Sequence, residues 1–272
     1  MKILYTILLF ILVTAITTVH GQRGAEIGGH IGVAHYFGDL NPTYAISDPG
    51  LAIGFKAKRN FNERISLALG LDYGRIKGSD SNSNNSFERN RNLDFYSAVI
   101  DANVTLEFNF FPYIHGSEDN YYTPYVFLGA SLLRHNPKTD LDGTTYELRD
   151  FGTEGQGPGF EYFLLSASWV YGMGFKWDYN RDWSFNVHLS GRRTSSDYLD
   201  DVSALYPDYT QLESRRGPIA VALANRSEDL QHGLTNTQRG NDPTNDRVFF
   251  LSIGLYRYFG QIHCPPITKN LY

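Results

Sequence analysis

Ile100-Asp101-Ala102-Asn103-Val104-Thr105-Leu106-Glu107-Phe108-Asn109-Phe110 sets an apolar side chain at every second position and a polar one between. Successive side chains of a strand point to opposite faces, so these residues predict a strand with one greasy face and one polar face. Trp183-Ser184-Phe185-Asn186-Val187-His188-Leu189-Ser190 and Arg247-Val248-Phe249-Phe250-Leu251-Ser252-Ile253-Gly254-Leu255 repeat the pattern later in the chain. A face this apolar must be buried or dissolved in lipid.

Five further segments alternate in the same way, at 26–37, 51–58, 66–74, 125–132 and 163–176. The connections between the eight run 39–50, 60–65, 75–93, 112–124, 134–162, 178–182 and 193–246, alternating longer and shorter. Short turns at one end and long loops at the other mark an outer-membrane barrel. The expectation is an all-β, eight-stranded antiparallel up-and-down transmembrane β-barrel with long external loops. A soluble lipocalin-like barrel, hiding the apolar face inside, is the alternative. Aromatic residues gather at the short-turn end: Phe61, Phe110, Phe111, Tyr113, Tyr121, Tyr122, Trp177, Tyr179, Trp183, Tyr258 and Phe259. Rings settle at a membrane–water interface, so these predict a girdle.

The start of the chain reads as an export signal over residues 1–21. Lys2 precedes an uncharged apolar run at 3–19, and a cut before Gln22 is plausible. The barrel is then expected over 22–260 and a periplasmic tail over 261–272, with both ends of the mature chain periplasmic in the cell outer membrane. No later segment holds 18 unbroken apolar residues, which excludes a transmembrane helix there. One cysteine excludes a disulfide scaffold. A net charge of -5, spread along the chain, argues against nucleic acid as a partner; the expected surroundings are outer-membrane lipid.

An eight-stranded barrel is just wide enough for side chains to fill. The predicted inner face carries Glu26, Lys56, Lys58, Asp72, Asp101, Glu107, Lys176, His188 and Arg192, a mixture of signs that should pair into a plug rather than line a pore. No catalytic, cofactor-binding or metal residue is expected. His188-x-Ser190 resembles the pair used by outer-membrane lipid A deacylases, but the alternation turns both residues inward, away from lipid. Asp140-x-Asp142-Gly143 lacks the later glutamate of a calcium loop and reads as a turn. Gly28, Gly29 and Gly32 lie along a strand, which excludes a dinucleotide-binding turn.

The segment 193–246 carries Thr194-Ser195-Ser196-Asp197-Tyr198-Leu199-Asp200-Asp201-Val202-Ser203, then Ala222-Leu223-Ala224-Asn225-Arg226-Ser227, then Gln238-Arg239-Gly240-Asn241. With Tyr36-Phe37-Gly38-Asp39-Leu40-Asn41-Pro42 and Cys264-Pro265, these blocks resemble the PorG-like outer-membrane barrel family of Bacteroidota. The resemblance implies a non-enzymatic part in the type IX secretion system and, in gliding species, motility. It also implies association with the periplasmic ring of the lipoprotein PorK and of PorN. A stand-alone barrel that binds or transports at its external loops is the alternative function.

Within that segment Asp197, Asp200 and Asp201 are expected to pair with Arg215, Arg216, Arg226 and Arg239 and so order the loop, and 220–224 to form a short helix over the barrel mouth. Cys264 falls beyond the last strand, where an unpaired thiol in an oxidising space is a candidate intermolecular disulfide to a periplasmic partner.

Overall fold

The structure is a computed structural model that describes residues 24–42, 46, 49–227, 233–240 and 245–260. Eight strands close a barrel: β1 (Gly24–Phe37), β2 (Gly50–Asn60), β3 (Ile65–Ser79), β4 (Asp94–Asn109), β5 (Tyr122–Arg134), β8 (Leu165–Asp178), β9 (Trp183–Thr194) and β10 (Arg247–Gly260). Each pairs antiparallel with its neighbours, and β10 pairs with β1 to complete the circuit. The eight-segment expectation holds. Two short strands lie outside the barrel wall, β6 (Pro137–Leu141) and β7 (Thr144–Glu147), a hairpin hung from the end of β4. Asp142 and Gly143, both at positive φ, form its two-residue turn, so the acidic motif there is a hairpin corner.

The register fixes the tilt. Stepping across the ladders from Gly24 leads through Asn60, Ser66, Glu107, Phe127, Gly172, Ser190 and Phe250 to Ala34, ten residues further along β1. A shear of this size inclines the strands by roughly 40° to the barrel axis. Short turns at 61–64, 110–121 and 179–182 cluster at one end with Gly24 and Gly260, and the long connections gather at the other.

The alternation read from sequence sorts the side chains as expected. Along β4 from Phe95 every second residue is buried and every other one exposed. The exposed set is apolar around the whole circumference: Ile31 is 62% exposed, Leu128 60% and Met173 61%. A water-soluble barrel does not display such a continuous belt, so the apolar face is dissolved in lipid. Among the described residues no helix is long and apolar enough to cross a membrane, and the crossing is made by strands.

Two parts of the architecture differ from the sequence reading. The strands run further at the loop end, β3 to Ser79 and β4 from Asp94, and the inward residues there are apolar: Ala34, Tyr36, Ile76, Phe95, Val99, Leu133, Val248 and Phe250. They meet Leu40, Leu93, Leu148, Leu199, Val202 and Leu223 from the loops in one core of the soluble kind. Three short helices stand over it: α1 (Ser86–Arg91), α2 (Tyr209–Arg216) and α3 (Pro218–Ala224). The expected helix at 220–224 is α3, with Pro218 at its first turn and Leu223 in that core.

The other difference is in the girdle. Phe110, Phe111, Tyr121, Tyr122, Tyr179, Trp183 and Phe259 are exposed at the turn end as expected, but Tyr113 and Tyr258 are each 4% exposed. Tyr258 has the inward parity of β10, and Tyr113 sits on a turn that folds back into the barrel, so both line the lumen.

Candidate functional site

The lumen is filled in tiers, beginning at the turn end. His115, on the 110–121 turn, reaches up into the barrel with Nε2 3.2 Å from Glu26 and Nδ1 2.9 Å from Asp178. Tyr113 donates its hydroxyl to Asp178, and the His115 ring stacks on Tyr258 at 4.1 Å. Asn60 donates to Glu26 at 2.8 Å and accepts from Ser66 at 2.7 Å. Burial disfavours an imidazolium at His115, but bonds to the Asp178 and Glu26 carboxylates outweigh it and lift the imidazole to about 9. The floor of the barrel is therefore an imidazole held between two carboxyl groups.

Above this, Glu107 Oε2 accepts from Lys58 and Lys176, each at 3.2 Å. Lys58 lies over the Tyr256 ring and Lys176 over the Tyr125 ring, both at 4.7 Å. Aromatic faces thus take the remaining sides of two buried ammonium groups. Lys56 approaches His188 Nε2 at 3.5 Å. In the next tier Asp72 accepts from His30 at 2.7 Å, Asn103 at 2.8 Å and Arg192 at 2.6 Å. Arg192 also contacts Asp101 at 3.2 Å and packs its guanidinium on Phe250 at 4.3 Å, where the polar filling gives way to the apolar core.

The loop end has its own polar layer. Tyr36 Oη donates towards Asp200 at 2.5 Å and Asp246 at 3.0 Å. Burial raises both carboxyls well above the ordinary range, and neighbouring carboxylates raise them further: Asp246 acts on Asp200, and Asp197 on Asp246. Asp200 also accepts from the Val202 amide and Asp246 from the Leu199 amide, both at 2.9 Å. Asp201 accepts from Tyr162 at 2.7 Å and from Thr153, and lies 3.6 Å from Arg239. Burial raises its carboxyl to about 6 despite the nearby guanidinium.

Arg239 is fully buried and binds Glu154 at 3.0 Å and the Asp201 carbonyl at 2.5 Å. Arg91, on α1, donates to the Arg239 carbonyl at 2.5 Å and to Asp80 at 2.6 Å. The long loop is thereby tied to the 80–93 connection through the interior.

A family model described as a domain of unknown function, DUF6089, matches residues 1–151, from the start of the chain through β7. The chain belongs to the DUF6089 family. No curated protein matches it. Among solved structures it is similar to the outer membrane protein OprG of Pseudomonas aeruginosa, at 10% identity, with 89% of this chain and 98% of that one covered and a TM-score of 0.46. It is similar also to the attachment invasion locus protein Ail of Yersinia pestis, at 10% identity, 88% and 99% coverage and a TM-score of 0.42. Neisserial surface protein A aligns at 14% identity, 86% and 96% coverage and a TM-score of 0.42.

In this DUF6089 barrel, Glu26, Lys56, Asp72, Asp101, Glu107, Lys176, His188 and Arg192 are all inward and buried. The same alternation turns their partners His30, Asn103, Tyr125 and Tyr256 inward, though sequence reasoning did not name them in the charge network; it missed His115 and Asp178, which do not belong to a read segment. His188 and Ser190 face the lumen but do not form a nucleophile and base: Ser190 accepts from Arg192, and His188 lies beside Lys56. Among the described residues no group of three or more His, Cys, Asp or Glu is placed to hold a metal ion.

The loop arginines are a correction. Only Arg239 meets one of the three aspartates, Asp201; Arg226 binds Asp94, Arg216 binds Glu161, and Arg215 binds Gln211. Arg226 and Arg216, with Arg239 through Glu154, tie the segment to other parts of the chain, while Arg215 stays within its own helix. Tyr198 stacks on Tyr162 at 4.7 Å in the same manner. Asn241 and Cys264 lie outside the described residues, as do the export signal and the 261–272 tail.

Proposed function

We propose that this DUF6089 protein is a non-enzymatic component of the type IX secretion machinery, and of gliding where that occurs. In this reading it sits in the outer membrane with its turn end and both termini in the periplasm, and there it associates with the ring built from the lipoprotein PorK and from PorN. The observation that carries the reading is the sealed lumen. With Glu107 bridged by two lysines and His115 clamped below them, the barrel has no aqueous path, so its work is done at its faces. The 110–121 turn plugs that end with Tyr113 and His115, and in this reading it is the surface offered to a periplasmic partner. The sequence blocks at 194–203, 222–227 and 238–241 supply the resemblance that names the machinery.

Cys264, which follows β10 in the sequence, is proposed as a disulfide tether to the partner. A second reading, a stand-alone barrel that binds at its loops, is favoured by a cleft of about 540 Å³ at the loop end lined by Asp39, Glu88, Arg91 and Arg247.

The test is affinity purification of the barrel, tagged at the exposed Asp142-Gly143 corner, from detergent-solubilised membranes, with mass spectrometry of co-purifying proteins. Recovery of the ring lipoprotein, reduced by Cys264→Ser or by changes in 110–121, supports the machinery role. A barrel recovered alone while the rings survive intact removes it.

A further inference from the structure

Phe160 and Phe163 are the most exposed large apolar side chains among the described residues, at 84% and 82%. The chain that carries them is tied from within. Glu161 is bound by Arg216, Arg149 donates to the Tyr162 carbonyl, and the Tyr162 hydroxyl donates to Asp201. The two rings also stand too high for lipid to cover. Leu165 pairs with Arg134, and one step across the ladder in this direction climbs towards the loops by roughly 3 Å. The ladder runs on through the His135 amide and the Leu164 carbonyl, so Phe163 lies roughly 8 Å beyond the arginine at the rim of the apolar belt.

Below these rings the same sector of the wall is hollowed. Ala102, Ala130 and Ala167 floor a groove of about 960 Å³, with Leu132 and Trp169 as its ridges and Arg193 at its loop-side end. From Phe163 the outward residues of β8, Leu165, Ala167 and Trp169, lead straight into it, so rings and groove form one apolar surface that crosses the rim. Arg134 and Arg193 flank that surface, exposed, with no hydrogen bond or ion pair to another described residue. The outward parity of the eight strands holds one carboxylate, Asp94, and Arg226 binds it. A second copy of this wall therefore brings cations to cations, and lipid brings nothing apolar to Phe160 and Phe163 above the rim. The cover that fits is a different protein, one that crosses the membrane beside the barrel and continues outside it.

We propose that this face, centred on β5 and β8, docks another integral outer-membrane protein. An apolar ridge of that partner seats in the groove, its external part packs on Phe160 and Phe163, and its carboxylates at the level of the rim pair with Arg134 and Arg193. An apolar centre edged by charge is the make-up of a protein interface, and a large exposed apolar patch marks one. Both rings and groove are already in place, so little is lost to ordering when the partner arrives. The inference rests on the outer-membrane reading above. It deepens the machinery reading by assigning a contact in the plane of the membrane, separate from the periplasmic turn end.

The test is photocrosslinking of the full-length protein in intact cells of its native host. The probe, p-benzoyl-phenylalanine, is placed at Phe163, at Leu132, or at Ile31 and Ile253 on the opposite face. Phe163 and Leu132 are expected to give an adduct with the same integral outer-membrane protein, and Ile31 and Ile253 none. R134E/R193E should lower the adduct yield about tenfold, as two reversed surface ion pairs imply, in a barrel that keeps the heat-dependent gel mobility of the folded state. Lysine in place of the partner carboxylate mapped beside the adduct should restore the yield. Ala130→Trp, which fills the groove, should lower it at both sites. Adducts to a second copy of the chain, to a protein outside the membrane or to no protein overturn the proposal, as does a yield untouched by R134E/R193E. A partner foreign to the secretion machinery keeps the docking face and counts against the machinery reading. Absent adducts while the ring lipoprotein still co-purifies remove the docking face alone.

Discussion

Glu107 Oε2 lies 3.2 Å from Lys58 and 3.2 Å from Lys176, so one carboxylate oxygen on β4 joins two strands on either side of it, β2 and β8. All three side chains are buried. Removing one member of a buried ionic group strands the others without a counter-charge, which is costly in a way that removing the whole group is not. Glu107→Gln should destabilise the barrel by about 3–5 kcal/mol, read as a lowered urea midpoint in detergent. Lys176→Met in the Glu107→Gln background should recover part of the loss; a midpoint unmoved by Glu107→Gln would mean that the filling contributes nothing to stability.

The floor is pH-dependent with a definite sign. The imidazole of His115 titrates at about 9 in the fold and near 6.5 when unfolded, so its contribution is whole below about 6.5 and is lost as pH rises through 9. Amide exchange over 112–118, corrected for intrinsic chemistry, should accelerate between pH 7 and 10. His115→Phe should flatten that profile.

The cap titrates in a different window. Asp201 is raised to about 6 from 3.8, and Asp200 and Asp246 move in the same direction. A carboxyl whose folded value exceeds its unfolded one favours the fold in acid and loses that contribution as pH rises through the folded value. Protection of the 199–203 amides should therefore fall from pH 4 to pH 7. Asp200→Asn, which leaves Tyr36 a single carboxylate to serve, should hold protection at neutral pH; a profile identical to wild type would show that the Asp200–Asp246 pair does not govern the cap.

Conductance follows from the tiers. Because Arg192, Lys58, Glu107, Lys176 and His115 block the lumen in succession, the barrel in a planar bilayer should give no steady current. Tyr113→Ala with His115→Ala should leave it closed, since the Glu107 tier lies above. Current through the wild type would overturn the filled-lumen description.

The barrel was legible because β4 alternates without a lapse, and because a two-residue period cannot be confused with a helical one over eleven residues. The loop alternation then fixed which end carries the turns. What escaped was long-range. Tyr113 and Tyr258 look like girdle residues by composition, and only the fold-back of 110–121 and the parity of β10 turn them inward. Ile76 and Phe95 lie beyond the segments that sequence delimits at 74 and 100, so the apolar core above Arg192 had no local signal. Sequence proximity points Arg226 and Arg216 to Asp197, Asp200 and Asp201, but Asp94 and Glu161 claim them across gaps of 132 and 55 residues. The tertiary arrangement of the barrel end, rather than charge count or sequence separation, decides such partners.

The filling has a consequence for how the barrel is built. Glu26 and His30 belong to the first strand, Tyr256 and Tyr258 to the last, and His115 and Asp72 between them complete contacts with both. The His30–Tyr256 bond and the stacking of the Glu26-bound His115 on Tyr258 cannot form while β1 and β10 stand apart. An open sheet would leave its charged face wet, and a wet face cannot be surrounded by lipid. Joining the first strand to the last is thus also the step that expels water from the interior, and membrane insertion, drying and seam closure become a single cooperative event.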